Sequence, residues 1–251
     1  MTGSEQDPIE VPSTLVNTLV KTEQWVVMTG SGISAESGVP TFRDAQTGLW
    51  AQYDPQQLAT QEAFENNPHV VWQWYQWRRE LIRNTSPNPA HRALVELQRL
   101  RPNLILVTQN VDGLHQRAGS TNVIEFHGNI HRNKCSHCQK PGPESEAAQP
   151  PNCAHCGELL RPNVVWFGES IPRVALQAAA HAIETCDVFF SVGTSSLVYP
   201  AAAMAETALT RQAIVVEINL NPTPLSSRAD FALQGLAGQW LPAITDLVRA
   251  G

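Results

Sequence analysis

Four cysteines stand as two short-spaced pairs, Cys135-Ser-His-Cys138 and Cys153-Ala-His-Cys156, with 14 residues between them. Two such knuckles can present four thiolates to one tetrahedral Zn²⁺ and leave no open coordination position, which is the chemistry of a structural metal rather than a catalytic one. Cys135, Cys138, Cys153 and Cys156 are therefore the expected ligands of a single structural zinc ion. His137 and His155, inside the knuckles, are the alternative donors. A redox dithiol is the competing use of a Cys-x-x-Cys pair, but it does not explain why there are two pairs. Cys186, the fifth cysteine, precedes the apolar run Val188–Val192 and reads as a buried structural thiol.

Other residues could carry chemistry. Gly30 and Gly32 follow the apolar run Trp25–Thr29. Glycines there let the backbone turn tightly and approach a pyrophosphate, and free N–H groups at a helix start would attract its charge. A structural loop explains these glycines nearly as well. Gln109, Asn110 and Asp112 sit at the end of another apolar run. Amides and a carboxylate at a strand tip can hold a hydroxyl, a water or a carboxamide, and they can equally cap a helix. His127, in EFHGNIHR, suits acid–base work near neutrality or a structural hydrogen bond. Tyr75 and Arg78, three residues apart, share one face of a helix; read blandly, they are a packing aromatic and a solvated charge.

The elements that must position these residues follow from the pattern of apolar runs. Trp25–Thr29, Leu104–Thr108, Val123–Phe126, Val188–Val192 and Ala213–Ile218 are strand-sized, end in small or polar residues and alternate with helix-like stretches. That alternation predicts an α/β fold with a Rossmann-like, doubly wound parallel sheet, whose ligands bind at the C-terminal ends of the strands. Between Pro55 and Arg101 the spacing of Val71, Trp74, Tyr75, Arg78 and Ile82 is helical, and AHRALVELQRL after the SPNP loop is a second amphipathic helix. From residue 133 to 162 periodicity gives way to Cys, Pro and Gly, as expected of an inserted zinc-binding module with a flexible segment, PGPESEAAQPP, between its cysteine pairs. The expected division is a Rossmann-like part over 22–50, 86–132 and 163–251, a helical module over 51–85 and the zinc-binding module over 133–162.

The formal net charge of −6 gives no general reason to bind nucleic acid or an anionic membrane, and leaves a cationic partner such as a lysine-rich protein segment open. No apolar run approaches the ~20 residues that span a bilayer, and the N-terminal residues lack a secretory pattern. A cytoplasmic monomer is expected.

Taken together, the motifs resemble those of the sirtuin family. GSGISAESGVPTFRD, Gly48-Leu49-Trp50, TQNVDGLHQRAG at 108–119, FHG at 126–128, RPNVVWFGE at 161–169, GTSSLVYPA at 193–201 and EIN at 217–219 follow in the family's order from Trp25 to Trp240. The resemblance implies one sirtuin-type catalytic domain over 1–251, acting as an NAD-consuming protein-lysine deacylase that releases nicotinamide and an O-acyl-ADP-ribose. It implies a cofactor site of Gly30, Ser31, Gly32, Ile33 and Ser34, with Phe42 and Arg43 over the nicotinamide pocket. Gln109 and Asn110 would meet the nicotinamide-side ribose and Asp112 the carboxamide. Gly193, Thr194, Ser195 and Asn219 would hold the adenosine side, and Ala237 the adenine. His127 would be the base acting on the ribose, with Asn110 beside it; His115 and His131 do not match that position. Val165, Trp166, Phe167 and Gly168 would pair with the substrate peptide and line its lysine tunnel.

Within that family a subset preferring acidic acyl chains carries Tyr-x-x-Arg just before a PNxAH-type segment. Here Tyr75, Arg78 and then Pro87-Asn88-Pro89-Ala90-His91 match it, and Ala59 matches a small residue that widens the acyl pocket. An arginine fork and a phenol can hold the distal carboxylate of a succinyl-, malonyl- or glutaryl-lysine in an apolar tunnel, where an unpaired carboxylate would cost several kcal/mol. Acetyl removal would accompany this activity. The alternatives on the same scaffold are mainly deacetylation or ADP-ribosyl transfer. A hydride-transfer enzyme and a zinc-ribbon binding module are rivals from other classes. Ser31 departs from the family's usual alanine and adds a hydroxyl near the expected pyrophosphate.

Overall fold

The computed structural model describes residues 9–41 and 54–250. In chain order the elements are α1 (Ser13–Lys21), β1 (Trp25–Thr29), α2 (Ser31–Ala35), α3 (Pro55–Leu58), α4 (Gln61–Asn66), α5 (Pro68–Arg83), α6 (Pro89–Leu100), β2 (Ile105–Thr108), α7 (Leu114–Ala118), β3 (Val123–Glu125), β4 (Gly128–Cys135), β5 (Pro141–Gly142), β6 (Leu160–Val164), α8 (Arg173–Glu184), β7 (Val188–Val192), α9 (Ala201–Thr210), β8 (Ile214–Asn219), β9 (Phe231–Gln234) and α10 (Ala237–Ala250).

Six strands form a parallel sheet in the order β3-β2-β1-β7-β8-β9. The chain winds outward from β1 in one direction through β2 and β3, then returns to β7 and winds the other way. The reversal falls between β1 and β7, the place where doubly wound sheets open a ligand crevice. The central strands β1 and β7 are buried on both faces, which is why they read as unbroken apolar runs. Successive side chains of β1 alternate between the two cores: Trp25 and Val27 pack with α1, α6 and α10, and Val26 and Met28 with α8 and α9. The expected Rossmann-like architecture is thus present, with the small module as a separate antiparallel sheet, β5-β4-β6, running from residue 128 to 164.

Local sequence explains the element boundaries near the crevice. Asn88 caps α6 by accepting from the backbone N–H groups of Ala90 and His91, Pro89 occupies the first turn, and the Asn88 Nδ2 donates to the Ile33 carbonyl at 2.7 Å. The cap therefore also fixes α6 against α2. The segment between the cysteine pairs, expected to be flexible, is docked along α5 instead. Trp72 Nε1 donates to the Ala147 carbonyl at 2.8 Å and Gln76 Nε2 to the Ser145 carbonyl at 2.8 Å, and Trp72 is fully buried. Among the described residues no helix is long and apolar enough to cross a membrane.

Candidate active site and metal centre

The cysteine pairs converge. The Sγ atoms of Cys135, Cys138, Cys153 and Cys156 all lie within 4.8 Å of one another, with Cys135–Cys156 at 3.4 Å and Cys138–Cys153 at 3.7 Å. These separations are too long for a disulfide of about 2.05 Å and match the ~3.8 Å edge of a sulfur tetrahedron around zinc at about 2.3 Å. The N–H groups of His137 and Cys138 point at the Cys135 sulfur and that of His155 at the Cys153 sulfur, each at 3.4 Å. Such donors favour thiolates. The four cysteines fit one Zn²⁺ without help from His137 or His155, and none of them lines the crevice described next. The fifth cysteine, Cys186, is half-buried, and burial pushes its thiol up to about 11, which suits an inert residue.

A cleft of about 1,100 Å³ opens at the ends of β1, β2 and β7. Its walls bring together the sequence-selected Gly30, Ser31, Gly32, Ser34, Gln109, Asn110, Asp112, His127, Gly193, Thr194, Ser195, Asn219 and Ala237. Ala59, Tyr75, Arg78, Val165, Trp166, Phe167 and Gly168 line it as well. Ile33 does not: its side chain is fully buried in the sheet core, because the first turn of α2 directs it inward. Phe42 and Arg43 lie outside the described residues.

The N–H groups of Gly30 and Gly32 are engaged within the protein. Gly30 N–H bonds the Val192 carbonyl at 2.9 Å and Gly32 N–H the Gly193 carbonyl at 2.8 Å. A Cβ on Gly32 would lie 2.8 Å from Gly193, and one on Gly193, where φ is +58°, would lie 2.4 Å from the Ile33 nitrogen. Three glycines thus let the ends of β1 and β7 approach closely enough to bond across the topological switch.

His127 follows β3, and its Nδ1 lies 3.0 Å from the Gln109 carbonyl oxygen. A carbonyl only accepts, so Nδ1 carries the proton and Nε2 the lone pair. Burial lowers the pKa of this imidazole, against the opposing pull of the Gln109 carbonyl. The neighbouring amides are pinned: Asn110 Nδ2 donates to the Gly30 carbonyl at 3.0 Å and the Ser34 hydroxyl at 2.9 Å, and Gln109 Nε2 to the Thr194 hydroxyl at 3.0 Å. Asp112 is buried and accepts from Leu114 N–H at 2.8 Å, as a cap for α7. Burial raises its pKa, while hydrogen bonds from Leu114 and Ser34 and the charges of His131 and Arg78 work in the opposite direction. The two rival histidines lie outside the cleft lining. His115 is buried with Nε2 2.9 Å from the Thr29 hydroxyl, and His131 Nε2 sits 3.2 Å from the Asp112 carbonyl oxygen.

At the other end, Tyr75 and Arg78 are both buried yet line the cleft. Tyr75 accepts from Trp166 Nε1 at 2.9 Å, and burial pushes its phenol up to about 12, so it stays a neutral donor. The Arg78 guanidinium lies 5.2 Å from the Trp74 ring centroid. Ala59 accepts from Phe167 N–H at 2.9 Å, which pins the RPNVVWFGE segment against the helical module.

Two supports were not visible in the sequence. Arg161, almost fully buried, lies 3.4 Å from the Trp166 ring centroid and pairs with Glu169, whose Oε2 also accepts from Trp166 N–H at 2.9 Å. Glu36, after α2, accepts from Gly238 N–H at 3.0 Å and so caps α10 beside Ala237, from 202 residues away. Burial raises the Glu36 carboxyl, and the backbone N–H bonds of Gly238 and Ala237 oppose that. An acidic residue after a glycine-rich turn was the only available signal, and it named no partner.

Comparison with known proteins agrees with this architecture. The Sir2 family model matches residues 30–200, well over half of the chain. An NAD-dependent protein deacylase of Ralstonia nicotianae is 51% identical over 226 residues, covering 88% of this chain and 91% of the relative. NAD-dependent protein deacylase 2 of Pyrobaculum aerophilum is 48% identical, covering 92% and 93%. A crystal structure of a Sir2 homolog–NAD complex superposes with a TM-score of 0.90 at 43% identity, over 98% of this chain and 96% of that one. A Sir2 protein bound to a deacetylated p53 peptide and 3′-O-acetyl ADP ribose gives 0.80 at 30% identity, over 93% and 96%. With its sheet reversal, its histidine facing the cleft and its four-cysteine cluster, the chain belongs to the Sir2, or sirtuin, family.

Proposed function

We propose that this chain is an NAD-dependent protein-lysine deacylase that accepts acyl groups ending in a carboxylate, succinyl, malonyl and glutaryl, alongside acetyl. The observation that carries the acyl assignment is the buried pair Tyr75 and Arg78 in the cleft that also holds His127. A guanidinium taken out of water with a neutral phenol beside it offers charge-assisted bonds to a carboxylate in surroundings that would otherwise reject one.

The residues present fit NAD. Amides, hydroxyls and one carboxylate run along the cleft in Gln109, Asn110, Asp112, Ser195 and Asn219, and three closely packed glycines keep its floor free of side chains. When bound, NAD supplies the electrophilic ribose carbon that takes the acyl oxygen as nicotinamide leaves. Gln109 and Asn110 hold the adjacent ribose, Asp112 the carboxamide, and Ser31 with Gly30, Gly32 and Ser34 borders the pyrophosphate. Gly193, Thr194, Ser195, Asn219 and Ala237 receive the adenosine half. His127 withdraws a ribose-hydroxyl proton through Nε2, since Nδ1 is committed to the Gln109 carbonyl. Val165, Trp166, Phe167 and Gly168 receive the substrate backbone and wall off the lysine. The Phe42 and Arg43 assignments rest on the motif alone. Zinc at Cys135, Cys138, Cys153 and Cys156 holds the small module together and takes no part in the chemistry. The reading extends to a monomer working in the cytoplasm on acylated proteins, in keeping with the net charge of −6, and not on nucleic acid or a membrane.

The test is to incubate the protein with NAD and matched acetyl-, succinyl-, malonyl- and glutaryl-lysine peptides and follow products by mass spectrometry. Nicotinamide and free lysine peptide are expected, with acidic acyl peptides turned over faster than acetyl. Absence of nicotinamide release with every peptide removes the deacylase assignment. Faster acetyl turnover removes the acyl assignment, and ADP-ribose transferred to protein without deacylation points to the transferase alternative.

A further inference from the structure

A second cavity, of about 640 Å³, lies outside the catalytic cleft between α5, α7, β4 and the segment joining the cysteine pairs. Arg79, Arg83, Arg117 and His131 line it together with Glu144 and Glu146, and the Glu144 carboxylate lies close enough to Arg79 to act on its charge. Arg79, only 2% exposed, donates to the Ile130 carbonyl at 2.6 Å, the Asn133 side-chain oxygen at 2.6 Å and the Gln76 side-chain oxygen at 3.2 Å. Arg117 donates to the carbonyls of Ile82 at 2.9 Å and Thr85 at 2.6 Å. Every one of these acceptors is neutral. Among the described residues neither guanidinium has a carboxylate at ion-pair distance. Arg83 pairs with Glu80 at 3.3 Å and Glu146 at 3.0 Å, but both pairs are solvent-exposed and therefore weak. Glu146 is thus a displaceable occupant.

We propose that this cavity binds a phosphate-bearing small molecule, held by Arg79, Arg83 and Arg117 in place of Glu146. Each guanidinium carries five N–H donors, more than the observed carbonyl contacts use, and paired donors of this kind match phosphate oxygens. His131 gives the bound anion a route to the catalytic cleft. Its ring lines the cavity while its Nε2 meets the backbone oxygen of Asp112, whose carboxylate faces the cleft.

The test reads binding, not turnover, so it stands or falls separately from the deacylase assignment. Inorganic phosphate and, in a parallel arm, glycerol 3-phosphate are titrated calorimetrically into the full chain with the catalytic cleft saturated by ADP-ribose. One site is expected to persist, with the His131 ring resonances shifting on saturation. Tighter binding of the ester than of phosphate would identify a phosphomonoester as the ligand, and equal binding free phosphate. Arg117→Gln should weaken binding at least tenfold, and Glu146→Gln should tighten it about two- to fivefold. Should Arg117→Gln unfold, the surface change Arg83→Gln, with an expected loss of several-fold, takes its place. No binding into the millimolar range, competition by ADP-ribose, or affinities unmoved by the charge variants would overturn the proposal.

Discussion

Replacing Arg78 by Met separates substrate selection from catalysis. Arg78 is buried in the helical module, and a Met there fills much of its volume while removing its charge. A hydrogen bond to a charged group contributes about 1.5–3 kcal/mol. A two-pronged contact with an acyl carboxylate, partly retained by Tyr75, sets the loss near 3 kcal/mol, or roughly 150-fold in kcat/KM at about 1.4 kcal/mol per factor of ten. Acetyl-lysine has no carboxylate to lose, and its kcat/KM should stay within about threefold. One complication has a definite sign. The Arg78 charge pulls the raised Asp112 carboxyl downward, so the variant should lift that carboxyl further and add a second ionisation to the acid limb that His127 sets in the parent protein. The comparison is therefore made across pH by nicotinamide release, with both peptides measured on the alkaline side of that limb. Equal losses for succinyl and acetyl peptides there would show that Arg78 supports the fold of the pocket and does not read the acyl end.

His127→Asn should cut turnover by more than about a hundredfold while leaving one zinc per chain and an unchanged far-ultraviolet spectrum. In the parent protein, burial holds His127 below the ordinary value of about 6.5, so its basic form survives to lower pH and the acid limb of kcat/KM should lie under that value; a limb at or above 6.5 contradicts the assignment. Cys138→Ser should lower bound zinc from about one equivalent to nearly none and depress the melting temperature, and unchanged zinc content would exclude the four-thiolate site. Gly193→Ala combines a φ of +58° with a 2.4 Å approach to a backbone nitrogen, whereas Gly38→Ala places its methyl in open space at +84°. The first should destabilise by about 3 kcal/mol or more and the second by about 1–2 kcal/mol, as read from denaturant midpoints.

Legibility in the sequence followed burial. Strands buried on both faces, such as β1 and β7, stood out as apolar runs, but β9 at the sheet edge is half-exposed and went unread. α10 was obscured by Pro242 in its interior, and α1 is a short helix without a side-chain cap. Pro- and Glu-rich composition made the segment between the cysteine pairs look flexible, because its anchors belong to its backbone carbonyls and to Trp72 and Gln76 on another element. The same limit applied at the site. Motif residues could be named, but the Arg161–Glu169 brace and the Glu36 cap depend on contacts that no local spacing encodes.

The arrangement of α5 shows why its sequence carries two kinds of information. At about 100° per residue, Tyr75, Arg78 and Ile82 fall within one arc of roughly 60° and all three line the catalytic cleft. Trp72, Gln76, Arg79 and Arg83 fall within a neighbouring arc of similar width. Trp72 and Gln76 hold the docked segment, and Arg79 and Arg83 line the second cavity. One helix is therefore the wall between two polar chambers, and its adjacent arginines, Arg78 and Arg79, point into different ones. Both are buried, and burial lowers both pKa values; what separates them is the company each keeps. Arg78 sits with the Tyr75 phenol and the Asp112 carboxylate, and Arg79 bonds neutral carbonyl and amide oxygens with Arg83 and Glu144 nearby. Trp72, Trp74 and Tyr75, all buried, pack the helix between the two chambers and hold its arginines apart.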